Sequence, residues 1–145
     1  MGNFSGKTVI ITGAGRAVLS DGKCGSIGYG IATAYAKEGA NLVITGRNVK
    51  KLEDARQELE EKYGVKVLCV QADVCAGADN KAVVENVVKQ TVETFGGIDV
   101  LINNAQASAS GVTLADHTTE QFDLALYSSF FTLRPVMTRL APSLA

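Results

Sequence analysis

Residues 12–32 read TGAGRAVLSDGKCGSIGYGIA. The stretch leaves an apolar run, TVIIT at 8–12, and enters a helical pattern at SIGYGIA, 26–32. A strand, a glycine turn and a helix N-terminus in that order favour a bound anion, because orphan helix N–H groups and the helix dipole both face the turn. In the usual dinucleotide-binding fingerprint the glycines lie within about six residues of one another. Here Gly13 and Gly28 stand 15 positions apart, so an inserted segment separates the two functional ends. Gly13 and Gly15 are expected to form the turn, Ser26 and Ile27 to present N–H groups or a hydroxyl, and Gly28 to let helix and backbone approach closely. Residues 17–25 then bulge outward as a flap. The competing reading is a plain surface loop whose glycines serve flexibility.

Outward from this stretch, apolar strands alternate with helical patterns. Ile27–Glu38 is a helix closed by Gly39, and Asn41–Thr45 (NLVIT) a second strand. Asn48 caps a helix running to Tyr63, with Leu52, Ala55, Leu59 and Tyr63 on one face and a solvated charged face opposite; Gly64 ends it. Lys66–Val70 is the third strand. A helix from about Asn80 to Phe95 carries a core stripe of Val84, Val87, Val88 and Val92, and Gly96 and Gly97 stop it. Val100–Asn103 (VLIN) is the fourth strand, whose lack of polar alternation predicts burial on both faces. Thr118 and Gln121 have capping-box spacing, so a fourth helix begins near Glu120. The alternation predicts an α/β fold, a Rossmann-type doubly wound parallel sheet truncated after the fourth strand and fourth helix. Its expected strand order is 3-2-1-4, with the ligand at the carboxyl ends of strands 1 and 4. Residues 1–145 read as a single, partial dinucleotide-binding domain.

The 14 basic and 15 acidic residues are mixed along the chain, with no basic stripe to neutralise nucleic-acid phosphates. No apolar run approaches the ~20 residues that span a bilayer, and residues 1–7 lack a signal pattern, which predicts a cytoplasmic protein without nucleic-acid or membrane partners. Cys24, Cys69 and Cys75 form no CxxC pair and are accompanied by one histidine, so free thiols are expected and no metal site. That histidine, His117, sits just before a capping threonine and is expected to face water.

At the end of the second strand a nicotinamide cofactor is discriminated by its ribose. An acid there accepts from the 2′-hydroxyl, and a base pairs with a 2′-phosphate. The chain reads ITGRN, 44–48: Arg47 holds the position, Arg16 is close by in the glycine turn, and the nearest acids, Glu53 and Asp54, are inside the next helix. NADP is therefore expected over NAD. The alternative is an arginine merely solvated at a strand end.

TGAGR, SIGYGIA, Ala72-Asp73-Val74 after the third strand and Asn103-Asn104-Ala105 after the fourth together resemble the N-terminal part of the short-chain dehydrogenase/reductase family. The resemblance covers roughly residues 4–127. It implies that Asp73 contacts the adenine with Val74 beside it, and that Asn103, Asn104 and Ala105 support the sheet and back the cofactor. NNAQASASG in place of the family's NNAG, with the split glycine motif, is most similar to bacterial 12α-type hydroxysteroid dehydrogenases. That implies a steroid- or bile-acid-like small-molecule substrate, and a homo-oligomer for the complete family fold. SIGYGIA is also similar to the SIAxGIA of enoyl-acyl-carrier-protein reductases, which lack NNAQ and are the alternative enzyme.

Family chemistry requires a tyrosine, a lysine three or four residues on, and a serine on the preceding strand. No YxxxK occurs here, Ser129 stands where many members have a catalytic asparagine, and Ser108 and Ser110 lack a base to activate them. No catalytic residue is assigned. The chain alone is expected to be inactive, and a noncatalytic dinucleotide-binding module or partial gene product is the reading from a different class. From Leu124 to Ala145 there is no acid and no lysine, while Pro135 and Pro142 both fall there, the first inside an expected helix. This tail reads either as a kinked terminal helix or as aberrant sequence from a shifted frame or truncation.

Overall fold

A computed structural model of the chain describes residues 2–23, 25–74, 80–107 and 111–130. β1 (Thr8–Thr12), β2 (Asn41–Gly46), β3 (Val67–Gln71) and β4 (Val100–Ile102) form one sheet in the order β3-β2-β1-β4, with every pairing parallel. The order reverses between β1 and β4, which opens a crevice beyond their carboxyl ends. Among the described residues no helix is long and apolar enough to cross a membrane.

The strand side chains alternate between two layers. Val9, Ile11, Leu42 and Ile44 pack on α1 (Ile27–Lys37) and α2 (Val49–Tyr63) through Tyr29, Ala32, Ala36, Leu52, Ala55 and Leu59. Ile10, Val43 and Val70 face the other way, toward Val87 of α3 (Asn80–Phe95). Complete burial of each such aliphatic side chain contributes about 1.5–3 kcal/mol, which is why β1 and β2, apolar on both faces, occupy the middle.

The helix ends follow local chemistry. The Asn48 side chain accepts from Lys51 N at 3.0 Å and caps α2, which stops at Gly64 with φ 66°. Gly39, at φ 83°, follows the Glu38 C-cap of α1. The capping box opens α4 (Thr119–Phe130): Gln121 N donates to Thr118 Oγ1 at 3.3 Å and Thr118 N to Gln121 Oε1 at 3.1 Å.

Two packing expectations need correction. β4 is half-buried rather than buried on both faces, because among the described strands it lies at the sheet edge beside β1. Val92 is 45% exposed and leaves the α3 core stripe. Its place is taken by fully buried Thr91, whose hydroxyl donates to Val87 O at 2.7 Å. Cys69 Sγ contacts Leu52 O at 3.3 Å, and burial pushes its thiol up to about 12. Cys24, Cys75, Ser108, Ser110 and the stretch 131–145 with both prolines lie outside the described residues; the preceding part of the tail continues α4 to Phe130.

Candidate functional site

The glycine turn leaves β1 at Gly13, whose φ of 70° is left-handed and strained for a side chain. A Cβ there would also press to within 3.1 Å of Ala105 Cα. Gly28 is required for a different reason. It is buried in the first turn of α1, and a Cβ on it would overlap the Gly13 carbonyl and come within 2.6 Å of Asn104 Nδ2. The two glycines, 15 positions apart in sequence, therefore meet in space as the split-motif reading requires.

The turn after β4 is locked to the turn after β1. Thr12 Oγ1 accepts from Asn104 N and Ala105 N, both at 3.0 Å, while Asn104 Nδ2 donates to Thr12 O at 2.9 Å and Gly13 O at 3.2 Å. On the far side, Ala107 N donates to Ser128 Oγ of α4 at 3.0 Å. The loop 104–107 is thus held at both ends.

These turns wall a cleft of about 310 Å³ at the carboxyl ends of the strands. Six expected residues line it: Gly13, Arg47, Asp73, Val74, Asn104 and Ala105. Gly46, Ala72, Gln106 and Ala107 complete the wall. The volume lies at the lower end of the range for small-molecule pockets and suits part of a dinucleotide. Arg47 is exposed beside it, and its carbonyl accepts from Gln71 Nε2 at 3.1 Å. No acidic residue occupies the first turn of α2.

The other expected residues lie around the cleft rather than in its wall. Gly15 packs close to Lys51, to whose Cβ a Cβ at Gly15 would come within 3.1 Å. Ser26 caps α1, its hydroxyl accepting from Tyr29 N at 3.4 Å, and Ile27 opens that helix 77% exposed. Asn103 borders a small apolar recess with Ile10, Val74 and Leu101, and Val74 is shared with the cleft.

Arg16 is not among the residues that line the cleft with Arg47. Its Nε pairs with Glu58 Oε2 on α2, and Lys62 Nζ takes the other carboxylate oxygen. Lys62 first and Arg16 second hold the Glu58 carboxyl down to about 2. The buried Tyr29 hydroxyl joins this cluster; burial first, and Glu58 second, raise its pKa above the usual phenol value.

The flap is an internally bonded loop. Leu19 N donates to Lys23 O at 2.8 Å, Gly22 N to Leu19 O at 2.9 Å, and Gly25 N to Ala17 O at 2.8 Å across its base. His117 is half-buried, with Nδ1 2.8 Å from Thr113 O.

The chain is similar in sequence and fold to known proteins. The family model described as enoyl-(acyl carrier protein) reductase matches residues 22–145. A 12α-hydroxysteroid dehydrogenase of a Clostridium species is 54% identical over 131 residues, covering 90% of this chain and 48% of that protein. L-sorbose reductase of Gluconobacter frateurii, solved with NADPH and L-sorbose, is 33% identical with a TM-score of 0.77 over 98% of this chain and 48% of that one. An NAD⁺-bound xylitol dehydrogenase is 28% identical with a TM-score of 0.78 over 97% of this chain and 50% of that one. The chain spans about half the length of these relatives. With the family model covering most of its length, and with β1, the glycine turn and the Asn104 lock in place, the chain belongs to the short-chain dehydrogenase/reductase family of oxidoreductases.

Proposed function

We propose that the chain carries the nucleotide-binding part of an NADP-dependent oxidoreductase that interconverts a secondary alcohol and a ketone, with a steroid- or bile-acid-like substrate. The observation that carries this reading is the cleft itself. It unites a left-handed glycine, a strand-end arginine, an aspartate and an asparagine-locked turn at the point where strand order reverses.

Bound NADPH supplies the hydride. The chain's own residues bind and orient. Gly13 and Gly15 form the turn that receives the pyrophosphate, Gly28 lets α1 approach that turn closely, and Ser26 and Ile27 stand at the helix N-terminus beside it. Arg47 pairs with the 2′-phosphate, Asp73 and Val74 hold the adenine end, and Asn103, Asn104 and Ala105 back the cofactor. A guanidinium–phosphate contact is charge-assisted and contributes on the order of 1.5–3 kcal/mol, enough for a strong preference over NAD. The substrate class rests on the 54% identity with the Clostridium hydroxysteroid dehydrogenase. The reading extends to a cytoplasmic setting and to a homo-oligomer.

Within these 145 residues none of Tyr29, Tyr35, Tyr63 and Tyr127 is followed by lysine at the fourth position, so this part of the protein is given a binding role. No proton-transfer role is assigned to any of the 145 residues.

Calorimetric titration with NADP and with NAD tests the cofactor assignment. NADP binds tighter, its advantage shrinks with salt, and Arg47→Asp turns the preference toward NAD. Equal affinities in the parent chain contradict it.

A further inference from the structure

Resting on the NADP reading above, we propose that Gln71 is a specificity-determining positioning residue: its side-chain amide holds the Arg47 carbonyl and so fixes the root of the guanidinium that meets the 2′-phosphate.

The backbone around Arg47 carries this. β2 ends at Gly46 and α2 begins at Val49, so Arg47 and Asn48 are the whole connection between strand and helix. On the strand side the Gly46 carbonyl accepts from Ala72 N at 3.0 Å. On the helix side Asn48 forms the cap, its Oδ1 accepting from Lys51 N at 3.0 Å and its carbonyl from Leu52 N at 3.2 Å. The first carbonyl of a helix ladder belongs to the capping residue, so the Arg47 carbonyl falls just outside that ladder. Gln71 Nε2 donates to it at 3.1 Å from the last position of β3, where Gln71 pairs in register with Gly46. Without that amide the peptide between Arg47 and Asn48 has only water to hold it, beside a glycine whose backbone turns freely.

The clamp acts on the ribose discriminator and on little else. Arg47 lines the cleft and Gln71 does not, so the influence of Gln71 on the nucleotide passes through Arg47. Both side chains are exposed, and no core packing depends on the contact. A long, rotamer-rich side chain loses entropy when it is ordered on a phosphate, and a fixed root lowers that cost. The benefit goes to NADP alone, because NAD presents a hydroxyl where NADP presents the phosphate.

The full chain and its Gln71→Met, Arg47→Ala and double variants are titrated with NADP and with NAD. Methionine keeps the length of the side chain and removes the donor. Gln71→Met is expected to lower the NADP-to-NAD affinity ratio about threefold through weaker NADP binding, with NAD affinity and the urea midpoint unchanged. In the Arg47→Ala background the same substitution changes neither affinity further, since the guanidinium it positions is gone. A ratio unmoved by Gln71→Met overturns the proposal. So does an equal fall for both nucleotides, which marks a merely structural role, or a loss that persists beside Arg47→Ala, which marks direct contact with the nucleotide. If Gln71→Met does not fold, Gln71→Asn, whose amide is one methylene too short to reach the carbonyl, decides by the same ratio. A parent chain with no NADP preference defeats the cofactor reading itself; a preference that Arg47→Ala abolishes and Gln71→Met leaves intact defeats only the role of Gln71.

Discussion

The Asn104 side-chain amide donates to the Gly13 carbonyl at 3.2 Å and, with its second contact to Thr12 O at 2.9 Å, fixes the glycine turn against the turn after β4. The site's two sides are therefore not independent. Gly28 seals the same point, since only hydrogen at that position leaves room for both the carbonyl and the amide.

Asn104→Ala leaves both carbonyls without this donor in a half-buried setting. A loss of about 1–2 kcal/mol is expected, read as a lower urea midpoint at unchanged slope. Affinity for NAD and NADP falls in parallel, because the change acts on the turn rather than on the ribose discriminator.

Gly28→Ala drives a methyl group into the Gly13 carbonyl, which is backbone and cannot swing aside as a side chain would. Helix α1 must shift from β1, at a cost of roughly 2–4 kcal/mol, and nucleotide titration should show no saturable binding. Gly64→Ala, with φ 66° but open space around it, is expected to cost about 1 kcal/mol and spare binding.

Acid should remove a definite part of the stability. The Glu58 carboxyl titrates at about 2 in the folded chain, below its usual value of 4.5, so the unfolded chain takes up its proton first. Its contribution is complete above about pH 5 and is lost as the pH falls through 4.5 toward 2. Asp99 is also held low, by Thr8 N first and Lys7 second, so its contribution is likewise lost as the pH falls below its usual value of 3.8. Chemical denaturation at stepped pH values checks this: the parent loses stability across that range, and Glu58→Gln shows a shallower loss.

Removing residues 18–24 should preserve the fold. Gly25 N and Ala17 O are already 2.8 Å apart across the base of the loop, and Val18 and Leu19 are exposed rather than packed into the core. Joining the ends therefore requires little backbone movement. Thermal unfolding should remain cooperative, with stability changed by less than about 1 kcal/mol. A noncooperative transition would mean that the loop supports the sheet.

Much of this was legible in the sequence where local chemistry sets the outcome. Asn48 and Gly64 bound α2 because a side-chain cap and a left-handed stop act within one turn. The pairing of Gly13 with Gly28 was legible because strand and helix signals flank the insertion. VLIN misleads on β4 because apolar residues report affinity for a core and carry no information on sheet position. Val92 misleads because a valine stripe does not fix helix rotation to within one residue, and Thr91 satisfies its hydroxyl internally.

The Arg16–Glu58 pair could not be read in advance. It joins residues 42 positions apart through the docking of α2 on the glycine turn, which no sequence period encodes. Thr12 had a fainter signal: a hydroxyl at the last position of a fully buried strand needs partners, and the adjacent turn supplies two N–H groups.

Amide hydrogen exchange with and without NADP is the most direct test of the central claim that four separated segments form one nucleotide site. The account predicts added protection together at residues 13–16, 46–48, 72–74 and 104–107, and little change along the outer face of α2. Protection limited to one of these segments, or appearing elsewhere while all four stay unchanged, would contradict it.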